Sequence, residues 1–141
     1  MSKKYFNISF PSDLSSVKAI ITDTVNFIRQ NILSVDESDI YALRLIYSEL
    51  LCNAVIHGNN NDARKLVSLT VELLEDMVLS MIRDEGGGFD HQKMITEAKK
   101  NKNLYSNSGR GILIVDELTD SMAYNAAGNE IRFSKKVKLN G

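Results

Sequence analysis

Glu49-Leu50-Leu51-Cys52-Asn53-Ala54-Val55-Ile56-His57-Gly58-Asn59 is the stretch on which the reading of this chain turns. It closes a helix expected from about Asp39 to His57. On a wheel of about 3.6 residues per turn, Ala42, Leu45, Ile46, Leu50 and Ile56 fall on one face, and Arg44, Tyr47 and Ser48 on the other. Glu49, Asn53 and His57 recur every fourth residue and stack along one line. The wheel puts that line in the middle of the apolar face. A carboxylate and an amide there are costly unless their hydrogen bonds are met. Either buried partners or an exposed helix end satisfy them, or the line faces a polar cleft that positions a water, a hydroxyl or a metal-bound phosphate. His57 sits at the helix end, where a hydrogen-bonding or cationic histidine is useful to the helix itself. Cys52 points away from the line and reads as a buried thiol.

Upstream, Tyr5 to Phe10 is a short aromatic strand, closed by Pro11-Ser12-Asp13. Val17, Ile20, Ile21, Thr24, Val25 and Ile28 have helical spacing and give a helix from about Leu14 to Ile32. Ser34 to Asp39 is a polar break rich in capping residues.

Downstream, Gly58-Asn59-Asn60-Asn61-Asp62 is a turn. Val67 to Leu73 and Val78 to Arg83 alternate as strands about a Glu75-Asp76 hairpin. His91 to Lys100 reads as a short helix, and Asn101 to Ser108 as polar loop. Gly109 to Leu118 fits helix or strand; Asp116 and Glu117 interrupt its apolar run as a helix surface would, which favours helix. Ser121 to Asn125 and Glu130 to Lys136 form a last hairpin around Ala127-Gly128-Asn129. The order β-α-α-β-β-α-α-β-β clusters helices between hairpins. It predicts an α+β two-layer sandwich, with helices on one face of a mixed, mostly antiparallel sheet.

Length and composition suit one domain over residues 1–141. Of 141 residues, 43% are apolar and 25% charged, enough for a real core. A net charge of −1 supplies no basic field for nucleic acid. The single cysteine forbids an intrachain disulfide and suits a reducing compartment. No apolar run approaches the ~18 residues of a membrane span, and the N-terminus lacks a signal-peptide core, so a cytoplasmic protein is expected.

Two glycine turns carry further chemistry. Asp84 ends a strand and enters Glu85-Gly86-Gly87-Gly88, where glycine admits close backbone approach and a strand-end carboxylate can accept from an amino group such as that of adenine. Gly109-Arg110-Gly111 opens a helix whose free N–H groups suit a phosphate, with Arg110 as a guanidinium fork. There is no Walker-type Gly-x-x-x-x-Gly-Lys-Ser/Thr run.

In this order and spacing the three elements resemble the GHKL ATPase superfamily, whose nucleotide site is the Bergerat fold. Glu49 to Asn59 is similar to its N box, Asp84 to Gly88 to its first glycine box, and Gly109-Arg110-Gly111-Ile112 to its second. Size and the His-Gly-Asn ending most resemble anti-sigma factor serine/threonine kinases of the SpoIIAB/RsbW type. The resemblance implies ATP and Mg²⁺ as cofactors. Asn53 would bind the Mg²⁺ bridging the phosphates, Glu49 would be the general base, and Asp84 would accept from the adenine amine. Gly86 and Gly88 would let the chain close over base and sugar. Gly109, Arg110 and Gly111 would hold phosphates, Thr96 to Ser108 would be a lid, and His57 is a further candidate. This chain reads Gly128-Asn129-Glu130-Ile131 where relatives often carry Gly-Thr-Thr, so a threonine that commonly helps hold adenine is absent.

The implied function is phosphorylation of a serine on a STAS-type anti-anti-sigma protein, with a sigma factor as second partner and a homodimer as the assembly. β-strand one and the first helix are the natural place for a dimer contact. The competing reading is a binding module in which ATP only sets the grip on a sigma factor or another regulator. A histidine-kinase catalytic half ranks last, since no helical hairpin carries a phosphoacceptor histidine.

Overall fold

The computed structural model describes residues 4–87 and 110–140, and of Arg110 the backbone alone. Strands β1 (Lys4–Pro11), β2 (Leu66–Leu74), β3 (Met77–Arg83), β4 (Ser121–Tyr124) and β5 (Glu130–Lys136) form one sheet in the order β1-β2-β3-β5-β4. Each of its pairings is antiparallel, which sharpens the expected mixed sheet. Helices α1 (Leu14–Asn31), α2 (Glu37–Asn53) and α3 (Arg110–Leu118) complete the α+β sandwich. Both expected hairpins form, and the ambiguous segment after Gly109 is helix. The helix expected over His91 to Lys100 and the lid from Thr96 to Ser108 lie outside the described residues. Among the described residues, no helix is long and apolar enough to cross a membrane.

Local chemistry sets the helix starts. Asp13 caps α1 by accepting from the Ser15 N–H, and Asp36 caps α2 by accepting from Ser38. The sheet buries alternate residues: Val67, Leu69, Val71 and Leu73 of β2 face inward, beside Val78 and Ile82 of β3 and Ile131 and Phe133 of β5. They pack against Val25 and Ile28 of α1 and Leu43, Ile46 and Leu50 of α2 in one core.

That core corrects the helical wheel. Tyr47, assigned to the outer face, is fully buried. Its ring meets Phe133 edge-on at 5.4 Å, and its hydroxyl shares a 2.5 Å hydrogen bond with Ser80, the one polar side chain on the inward face of β3. The buried stripe of α2 therefore runs through Ile40, Leu43, Ile46, Tyr47, Leu50 and Leu51. Glu49 and Asn53 lie along its margin, half-buried, not in its middle.

A second correction concerns the helix end. Regular α-helix stops at Asn53, and Ala54–Gly58 form a π-helical turn in which the Asn59 N–H reaches the Ala54 carbonyl. Such wide turns recur at functional sites because they redirect side chains without breaking the helix. Here the turn delivers Gly58 and Asn59 beneath the end of β3. Asn60 and Asn61 follow with left-handed φ of 53° and 58°, a conformation asparagine tolerates well.

Candidate functional site

The line predicted from the sequence leads to a recess at the end of the sheet. Leu50, Asn53 and Ala54 of the helix side, Ile82 and Asp84 of β3 and its end, and Tyr124, Asn129, Glu130 and Ile131 of the last hairpin line it. Asn53 and Asp84, 31 positions apart in sequence, thus share one small polar site with an apolar floor. Tyr124 was not singled out from the sequence, and Asn129 was noted only as a turn residue and as part of the departure from Gly-Thr-Thr. Tyr124 was readable only as an alternating strand residue.

Asp84 is held from several sides. Its N–H donates to the Asn129 carbonyl at 2.9 Å, and its Oδ1 accepts from the Gly86 N–H at 2.8 Å. Burial pushes its carboxyl pKa above the ordinary value, outweighing the Gly86 hydrogen bond and the positive charge of Lys65. Burial, and then the Asp84 charge, push the Tyr124 hydroxyl pKa up as well. A carboxylate kept partly out of water, with one oxygen engaged, is a strong acceptor for a ligand donor.

The glycines explain how the carboxylates come to sit where they do. A Cβ on Gly58 would lie 2.2 Å from Asp84 Oδ2, and one on Gly111 would lie 2.0 Å from Glu49 Oε2. A Cβ on Gly86 would lie 1.8 Å from the Gly58 carbonyl oxygen. The first glycine turn is therefore stacked on the end of the π-helical turn, and the first turn of α3 is stacked on Glu49. Gly86, expected to matter for closing over a ligand, is required already by this packing. The structure thus brings Asn53 and Asp84 together at the recess, with Gly86 beside Asp84, and sets Gly111 against Glu49, one helical turn earlier on α2. Gly88 and Gly109 lie outside the described residues, as does the side chain of Arg110. His57 is exposed and does not line the recess.

These contacts differ in what can yield. In Gly86→Ala the new methyl group meets backbone, which cannot move aside. In Gly111→Ala it meets the end of a long, flexible glutamate. Gly86→Ala should cost about 1–3 kcal/mol, as overpacking does, and Gly111→Ala less than about 1 kcal/mol. Urea midpoints measure both. Equal losses for the two variants would contradict the packing described.

Asn59 was quoted in the sequence only as the end of a motif and as part of a turn. It is fully buried, and its side chain ties the π-helical turn to three other segments: it accepts from the Glu85 N–H at 2.8 Å and donates to Ser12 Oγ at 2.6 Å and to the Leu66 carbonyl at 3.0 Å. Cys52 is half-buried, and burial and then the Glu49 charge push its thiol pKa up, so it is a poor nucleophile.

Comparison with known proteins agrees with this geometry. The family model described as a histidine kinase-like ATPase domain matches residues 10–135. An anti-sigma F factor of Priestia megaterium is 34% identical over 126 residues, covering 85% of this chain and 82% of that protein. The serine-protein kinase RsbW of Staphylococcus aureus is 30% identical over 109 residues, covering 71% of this chain and 67% of the kinase. In fold, the chain is similar to a crystal structure of the RsbU and RsbW domains of a Mycobacterium tuberculosis protein. The TM-score is 0.67 at 15% identity, over 98% of this chain and 34% of the other.

Proposed function

The chain belongs to the histidine kinase-like ATPase domain family, and from that premise we propose that it is an ATP-dependent serine/threonine-protein kinase of the anti-sigma factor type. Its substrate is a serine hydroxyl on a STAS-type antagonist protein, and a sigma factor is its second partner. The observation that carries this reading is the pairing of two sites on α2. Asn53 shares the Asp84 recess, and Glu49, one turn earlier, lies against the first turn of α3.

The roles follow from the chemistry of each group. The free oxygen of Asp84 receives the adenine amine, and Tyr124 closes the recess from β4. Gly86 and Gly88 bring backbone close to base and sugar. The start of α3, with Gly109, Arg110 and Gly111, presents N–H groups and positive charge to the phosphates. Glu49 orients the serine hydroxyl and takes its proton as the serine oxygen bonds to the γ-phosphorus and the bond to the bridging oxygen of ADP breaks.

The donor set suits Mg²⁺. Among the described residues, no group of three or more His, Cys, Asp or Glu could hold a metal by itself. The Asn53 amide oxygen is a hard donor of the kind that completes a phosphate-borne Mg²⁺, whose chemistry is to neutralise phosphate charge.

Two copies are expected to act together. Among the described residues, β1 pairs only with β2 and leaves an edge beside α1. Sedimentation that finds only monomer with and without ATP would remove this part. The whole reading places the protein in the cytoplasm, where ATP is supplied.

The direct test uses ATP labelled at the γ-position together with the cognate antagonist. The expected products are ADP and one phosphoserine on the antagonist. A nucleotide-dependent complex with no phosphoprotein would instead make the chain a nucleotide-gated binding module.

A further inference from the structure

We infer that Asn59 is a positioning residue that sets base preference by tethering the turn after Asp84. The inference rests on the reading of Asp84 as the acceptor of the base amine.

The argument starts from the side chain's orientation. Ser12 Oγ donates to the Lys65 carbonyl at 2.9 Å, so it offers a lone pair to Asn59. The Leu66 carbonyl also offers only lone pairs. Both therefore require the Asn59 amide nitrogen on their side, which leaves its oxygen on the side of the Glu85 N–H. A flipped amide would set oxygen against the Leu66 carbonyl and nitrogen against the Glu85 N–H. The side chain is fully buried, so water does not substitute for any of these bonds.

The consequence falls on Asp84. Its own N–H is held by the Asn129 carbonyl, and the next N–H along the chain is held by Asn59. The Glu85 carboxylate reaches back to the Leu66 N–H and closes the same loop onto β2. With the peptides on both sides of Asp84 pinned, and Gly86 seated on the Gly58 carbonyl, the carboxylate has one direction in which to present its second oxygen. Removing the tether leaves Asp84 in place in the chain but frees the turn, and a directional acceptor becomes an approximate one.

The test compares binding of ATP with that of inosine triphosphate by calorimetry. The second nucleotide has a carbonyl where adenine has its amine, so the ratio of the two affinities reports on Asp84 and not on the phosphates. Asn59→Ala deletes the tether from the buried side. Glu85→Pro deletes the N–H from an exposed position and decides the matter if Asn59→Ala does not fold, with Glu85→Ala, which loses the carboxylate but keeps the N–H, as its reference. Thr24→Ala removes a buried hydroxyl of α1, outside this network, and serves as the control for lost stability.

Expected are about a tenfold loss of ATP preference in Asn59→Ala relative to wild type and in Glu85→Pro relative to Glu85→Ala, and a wild-type ratio in Thr24→Ala even where its Tm falls as far. A folded Asn59→Ala with the wild-type ratio, a Glu85→Pro ratio equal to that of Glu85→Ala, or an equal loss of ratio in Thr24→Ala overturns the inference. Asp84→Asn in the same titration separates the two layers. If that variant keeps the wild-type preference, the base-site reading itself fails. If it loses the preference while Glu85→Pro keeps it, the tether alone fails.

Discussion

Asp84→Asn should weaken ATP binding about 10–100-fold and turn the base preference toward inosine triphosphate, while raising thermal stability at neutral pH. The Gly86 N–H claims one oxygen of Asp84 at 2.8 Å. In the variant that N–H still needs an acceptor, so the amide oxygen takes it and the amide nitrogen occupies the place of the second oxygen. A donor then faces the adenine amine, also a donor. The loss matches a hydrogen bond to a charged group, about 1.5–3 kcal/mol, plus the misfit. Inosine presents a carbonyl there and gains what ATP loses. The substitution keeps the side chain's size, so the contact with Gly58 is undisturbed.

The stability arm follows from burial. The folded pKa of Asp84 lies above its unfolded value. The native state therefore holds this proton more tightly than the unfolded chain does. As pH rises from the unfolded value through the folded one, wild-type stability falls, and the penalty is complete once pH has passed the folded value. The variant does not titrate. The two proteins should thus converge in acid and separate as pH rises, with the variant the more stable. Thermal melts across pH read this. Parallel curves, or a less stable variant at neutral pH, would show that Asp84 is not a strained acceptor kept for a ligand.

The contrast between Glu49 and Tyr47 shows what could be read in the sequence and what could not. Strand alternation and the spacing of α1 and α2 are local signals, and the two hairpins and three described helices follow from them. Glu49 and Asn53 stand out because a four-residue repeat is local too. Tyr47 was misplaced because the group that satisfies its hydroxyl, Ser80, lies 33 residues away on β3. A wheel drawn from one helix cannot show that partner. Without it, a tyrosine beside Arg44 and Ser48 reads as surface. Shifting Tyr47 into the core rotates the buried stripe and puts the polar line on its margin, where a cleft can form without burying charge.

The same limit applies to the glycines and to Asn59. Gly58, Gly86 and Gly111 were legible as turn or cradle residues, yet what each one touches belongs to another segment. Asn59 makes its contacts across separations of 47, 26 and 7 residues. The π-helical turn that aims it has no composition signal, because Ala54-Val55-Ile56-His57 continues an α-helix equally well. Motif resemblance drew attention to this region, and what the described residues in it touch came from packing.

Glu49→Gln should lower the rate of phosphate transfer on the order of 10²–10⁴-fold and change ATP affinity less than about threefold, the widest separation of rate from affinity expected in the site. Glu49 lies against Gly111 and not in the recess shared by Asn53 and Asp84. On the proposed reading its carboxylate stands at the phosphate end, away from the base. Glutamine has the same length and keeps the contact with the first turn of α3, so the cradle is preserved and only proton acceptance is lost. Gly111→Ala approaches the same group from the other side. It leaves Glu49 its charge but pushes the carboxylate away, so it too should slow transfer more than it weakens binding, by a smaller factor. Single-turnover transfer to the antagonist, with ATP affinity measured separately, distinguishes these effects. If Glu49→Gln transfers phosphate at the wild-type rate, Glu49 is not the base and the kinase assignment loses its mechanism. If it loses ATP binding and transfer in equal measure, the carboxylate belongs to the binding machinery and the nucleotide-gated module becomes the better reading.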